Sequence, residues 1–165
     1  MSAVRPDDPG ARALLRHVLA TLAYRAGKAV RGAPEGFGDF PAGVGGRTAV
    51  QILAHMGDLF DWALTMADGE AAWNDAVPLP WDAEVGRFFA AIERFDARLQ
   101  TGRPLANPAT KIFDGPVADA LTHTGQIAML RRMAGAKIRG ESYFKADIVT
   151  GRVGLDQSPP RREFD

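Results

Sequence analysis

The stretch DALTHTGQIAMLRR, residues 119–132, decides how this chain is read. Asp119 and His123 stand four apart, and Gln126 follows three later. At about 3.6 residues per turn, they share a helix face with Ala120, Ile127, Leu130 and Ala134. That is the stripe a helix normally buries, and buried polar groups need partners. The segment therefore predicts an amphipathic helix that carries polar chemistry on its inward face.

Working outward, three more segments show the same period. The first spans about 8–30, with Leu14, Leu15, Val18, Leu19 and Leu22 at helical spacing. Asp7 or Asp8 offers its N-cap and Gly32 its stop. The second spans about 48–67 behind a Thr48 cap, its face formed by Ile52, His55, Leu59, Trp62 and Met66. The third starts at Trp81 or Asp82 and runs to about Thr101. The helix that opened this reading is expected over 115–135, capped by Asp114. Four helices of about twenty residues with few strand signals argue for an all-α four-helix bundle. A Gly/Pro-rich crossover, GAPEGFGDFPAGVGG, follows the first helix and is a candidate pocket wall. One domain of residues 1–165 is expected, with the bundle over about 8–136 and an irregular tail over 137–165; its last residues read as loose, and SYFKADIV, 142–149, as a short helix or an extended segment packed on the bundle.

Composition narrows the functional classes. Lys plus Arg number 20 and Asp plus Glu number 20, so the formal net charge is zero. That balance gives no electrostatic footprint for nucleic acid or an anionic membrane. With no cysteine, disulfides, thiolate metal sites and a cysteine nucleophile are excluded. The opening residues are too acidic and too poor in apolar side chains for a signal peptide, and no apolar run is long enough for a membrane span. A soluble cytoplasmic protein acting on a small molecule is the expectation. GVGGRT, residues 43–48, lacks the lysine of a phosphate-binding loop and reads as a helix entry.

His55, Asp119 and His123 are the candidate metal ligands. Two ligands four apart on a helix have Cβ atoms about 6 Å apart, close enough to hold one ion. Two imidazoles and one carboxylate leave a coordination position open, as catalytic sites do and structural zinc sites do not. Zn, Ni or Fe suits this ligand set, which does not choose among them. An intrahelical Asp119–His123 contact without any metal is the plain alternative. Gln126 and Asp58 are candidates for the layer behind the ligands, and Leu59 and Trp62 for core or pocket wall. Gly125, in mid-helix, suggests close approach of another backbone.

Two stretches, AVQILAHMGDLFDWAL (49–64) and DALTHTGQIAMLRRMAG (119–135), resemble the DinB/YfiT-like superfamily of small four-helix metalloproteins. In the first, a histidine follows a short apolar run, with an acidic residue three later; here these are His55 and Asp58. The family's last helix has the form H-x-x-x-H-x-G-Q, whose second histidine, glycine and glutamine match His123, Gly125 and Gln126. Its first histidine falls on Asp119, a departure that keeps a competent ligand. The resemblance implies a divalent ion that activates a low-molecular-weight thiol (mycothiol, bacillithiol or glutathione) for S-transfer or isomerisation, and a possible homodimer. Two other readings stand beside it. One is a dimeric binding protein with a vestigial metal site, and the other is an iron-dependent oxygen enzyme.

Overall fold

The Asp8 carboxylate accepts the Gly10 amide at 2.8 Å and starts α1, Pro9–Val30. An aspartate cap satisfies one orphan donor, and the proline behind it has no amide to satisfy. Asp7, the other expected cap, lies outside residues 8–165, which this computed structural model describes. Thr48 and Gln51 form a reciprocal capping box that opens α2, Ala49–Asp68. The third helix, α3, is Trp81–Gln100. These three match the sequence expectation to within a residue or two.

The fourth segment does not. Its helical run begins earlier, with α4, Ala109–Ile112, then passes through one wide π turn, Phe113–Val117, into α5, Ala118–Met133. Asp114 is no cap; it lies inside the run and faces Lys111 at 3.6 Å. The Asp-Gly-Pro sequence looks like a helix start, because aspartate caps and proline favours the first turn. Here Pro116 is inside the helix. It has no amide for the carbonyl one turn back, and its ring crowds that carbonyl, so the turn widens instead of breaking.

The chain is mostly helical. Helix α2 packs against α3 and α5, and α1 packs against the same two. Phe60, Phe88, Phe95, Leu19, Leu22, Leu53, Met56, Ile92 and Ile127 are fully buried between them. Each such side chain contributes about 1.5–3 kcal/mol on burial. Leu14, expected on the core face, is instead exposed. Arg131 ties α5 to the end of α1. It is buried, and its guanidinium donates to the carbonyls of Ala29, Arg31 and Gly32 at 2.9–3.0 Å. A cation on these orphan carbonyls opposes the negative end of the helix dipole. No helix among the described residues is long and apolar enough to cross a membrane.

The tail is not loose. β1, Gly140–Glu141, pairs antiparallel with β2, Glu163–Phe164. Lys28 on α1 donates to Glu141 at 2.8 Å and to Glu163 at 2.7 Å, and the Tyr24 hydroxyl donates to Glu141 at 2.6 Å. His17 on α1 meets Thr150 of the tail at 2.8 Å. Two-residue strands and long-range ion pairs leave no periodic trace in a sequence.

This lock titrates in alkali. Burial, then the hydrogen bond to Glu141, pushes the Tyr24 hydroxyl well above its ordinary value of about 10. Burial pulls Lys28 down, but the Glu141 and Glu163 carboxylates outweigh it and the net shift is upward. Groups raised in the folded state stabilise it below their unfolded pKa and lose that contribution as pH rises through the folded value. Urea midpoints should therefore fall from about pH 10 upward. The fall should be shallower in Tyr24→Phe than in the wild type.

Candidate metal centre

Ile52 and Leu59, one turn either side of His55, are buried and fix the rotation of α2. His55 then faces α5 across the helix seam. Asp119 Oδ2 lies 3.2 Å from His55 Nε2 and 3.4 Å from His123 Nε2. The two imidazoles meet edge to face, 4.9 Å between centroids and 90° between planes. One donor atom from each of the three residues lies within 4.8 Å of the other two. The structure thus brings the three candidate ligands together.

Gln126 is where the layer behind the ligands is expected. Its Oε1 is 2.7 Å from His123 Nδ1 and accepts a hydrogen bond from that N–H. In the neutral ring, that leaves His123 Nε2 as a lone pair pointing at a carboxylate oxygen. Two electron pairs then face each other, so the arrangement calls for positive charge between them. A second ring proton or a metal cation supplies it. A histidine held through its other nitrogen is the usual form of a metal ligand.

The centre is not in the core. The side chains of His55 and His123 are 18% and 13% exposed, and that of Asp119 is 45% exposed. It is a rim site, with the carboxylate on its outer side. A cleft flanks it on each hand. One, of about 480 Å³, reaches His123, Gln126 and Ile52; the other, of about 260 Å³, reaches His55. The glycine-rich loop does supply a wall, through Ala42 and Arg47.

Several expected roles change. Leu59 belongs to the core cluster and lines neither flanking cleft. Trp62 is partly buried and meets Trp73, whose ring stands 5.8 Å from Trp62 and 5.4 Å from His55. Trp73 is the residue that sequence reasoning missed. It sits in the aperiodic connector 69–80, where no spacing rule says which side chain turns inward. Among the described residues, Gly125 has no neighbouring atom within 4 Å of where a Cβ would stand, so the expected close approach of another backbone is not seen there.

Asp58 shares the His55-side cleft but bonds to no ligand, and it does not lie on the surface. It is buried and accepts from Arg87 Nη1 at 3.0 Å and from the Ala76 amide at 3.1 Å. Fully buried Glu84 also accepts from Arg87, and from the Leu79 amide at 2.8 Å. The two carboxylates thereby latch the connector that carries Trp73. A Cβ at Gly57 would lie 2.8 Å from Arg87 Nη2, so glycine leaves room for that guanidinium.

No protein-family model, curated protein or solved structure matches this chain. What the site can do rests on its own geometry.

Removing one partner of a buried ion pair costs about 3–5 kcal/mol, because the other charge is left uncompensated. Arg87→Ala should lose stability of that order in a urea titration, since it strands Glu84 and Asp58 together. Fluorescence should also report the Trp73 ring leaving His55.

Proposed function

We propose that this chain is a metal-dependent protein with a DinB-like four-helix bundle, and that His55, Asp119 and His123 hold one divalent ion. The observation that carries the reading is the convergence of two imidazole nitrogens on one carboxylate oxygen, at 3.2 and 3.4 Å. The donor set fits the group: two neutral nitrogens and one anionic oxygen suit Zn, Ni or Fe. Bound there, such an ion would supply Lewis-acid chemistry, lowering the pKa of a thiol or water. A low-molecular-weight thiol is the proposed cosubstrate, as the resemblance of residues 49–64 and 119–135 implies, and a chain with no cysteine of its own would have to import it. Thiol-dependent transfer is the proposed reaction class.

The residues divide the work. Gln126 fixes the ring of His123, so that Nε2 is the nitrogen presented to the centre. Trp73 stands against one side of the His55 ring, 5.4 Å between centroids, and supports its orientation. Asp119 supplies the negative charge that partly neutralises a divalent ion, and its exposure leaves the outer side accessible. A second reading, a dimeric binding protein with a vestigial centre, is favoured by one feature. Gly125, Met129 and Met133 form an exposed, weakly polar strip on α5.

Elemental analysis of protein purified without a histidine tag separates the two. About one equivalent of transition metal is expected, lost in both His55→Ala and Asp119→Ala. No metal as purified, and no stoichiometric uptake of Zn, Ni or Fe, would sink the metalloprotein reading. Gln126→Leu should keep the fold and weaken metal affinity by about 10- to 100-fold, as loss of a partner behind a ligand does. Competition against a chromogenic chelator measures it.

A further inference from the structure

We infer that the cleft on the His123 side binds a small organic anion with an apolar body, and that Arg47 is its anion anchor. The inference deepens the metal-centre reading and rests on it for which end of the ligand reacts.

Arg47 ends the glycine-rich loop, one residue before the Thr48 cap, and is exposed. Most guanidiniums near the helix seams are committed: Arg16 to Asp96, Arg87 to Glu84 and Asp58, Arg94 to Asp61, Arg98 to Asp68. The Arg47 guanidinium has no hydrogen bond or ion pair among the described residues. Among the described residues, it is also the one that lines both clefts flanking the centre. An uncommitted cation at the mouth of a site is a ready partner for an anion, because guanidinium matches carboxylate geometry with two parallel bonds.

The two clefts differ in what they would accept. The smaller, on the His55 side, is lined by Asp58, already paired with Arg87, and by Asp75, whose carboxylate disfavours an anion. The larger has no carboxylate in its lining. Its walls are Ile52, Leu130, Met129 and Met133, and its polar groups are Arg47, His123 and Gln126. Its volume of about 480 Å³ suits a small molecule. Methionine is pliable and fits apolar bodies of varied shape. A ligand with its apolar part on Met129, Met133 and Leu130, and its charge on Arg47, would present its remaining end to His123.

Hexanoate and 1-hexanol share a chain and differ in charge, so they separate the two halves of the claim. Both would be titrated into the wild type, Arg47→Gln and Met133→Glu, with amide proton shifts as readout, before and after loading with Zn²⁺. Hexanoate should bind the wild type and weaken about tenfold or more in Arg47→Gln, with 1-hexanol unchanged. Met133→Glu should weaken both. Equal hexanoate affinity in wild type and Arg47→Gln overturns the inference, as does absence of hexanoate binding to the wild type. A wild-type dimer that Met133→Glu dissociates, with no hexanoate bound, overturns it in favour of a second copy on this face. Zinc uptake is read separately. Protein that takes no Zn²⁺ but binds hexanoate through Arg47 loses the metal reading and keeps the anchor. Protein that takes Zn²⁺ but binds hexanoate without Arg47 does the reverse.

Discussion

A proline inside a helix constrains the candidate site more than any other residue. Pro116 cannot donate to the carbonyl one turn back, and the chain answers with one wide turn over Phe113–Val117 instead of a break. A wide turn holds an extra residue, so everything after it is rotated relative to a continuous α-helix. Asp119 and His123 follow within two turns and inherit that rotation, which aims them at His55. Arg131, further along, inherits it too and reaches the carbonyls that end α1. Such widened turns are common at functional sites because they re-aim side chains without ending the helix.

The ionic groups of the chain fall into two kinds. Asp58 and Glu84 share Arg87, and Asp96 takes two bonds from Arg16. In these clusters the carboxylates meet guanidiniums that are always charged, so the pairs are closed at any ordinary pH. The His55–Asp119–His123 group is different. The partners of its carboxylate are imidazoles, which carry ring lone pairs that a guanidinium lacks, and that carboxylate is the most exposed of the three. A design that only needed a clamp between α2 and α5 could use arginine, as the α2–α3 seam does. Histidine in its place offers lone pairs, which are useful to a cation and useless to a clamp.

What was legible in the sequence is what periodicity carries. His55, Asp119 and His123 were found because each lies on a helix whose apolar neighbours repeat about every 3.6 residues. Thr48 and Asp8 were found as caps because capping is a local rule. The fourth helix start was misread because Asp-Gly-Pro obeys the local rule for a beginning while the tertiary structure carries the helix through it. Trp73, Arg87 over Gly57, and the Lys28–Glu141–Glu163 lock depend on contacts between segments far apart in the chain. No window of neighbouring residues contains that information. Asp58 shows the limit well, since its spacing from His55 could not reveal that its hydrogen-bond partners are Arg87 and the Ala76 amide.

Helix arithmetic explains why the centre is at the rim and not in the core. At about 100° per residue, Ile52 and Leu59 lie about 60° and 40° from His55 on one side, and both are buried. Trp62 lies about 20° to the other side and Gln51 about 40°, and they are partly buried and exposed respectively. His55 therefore stands on the boundary of the apolar stripe. The same holds on α5, where Ile127 falls about 80° to the core side of Asp119 and Met133 about 40° to the solvent side. Two boundary rows that meet at a helix seam make a shelf and not a cavity. The connector 69–80 then covers one flank of that shelf through Trp73, held by Asp58 and Glu84. The other flank stays open towards Arg47 and the methionines of α5, which gives the site a direction of approach.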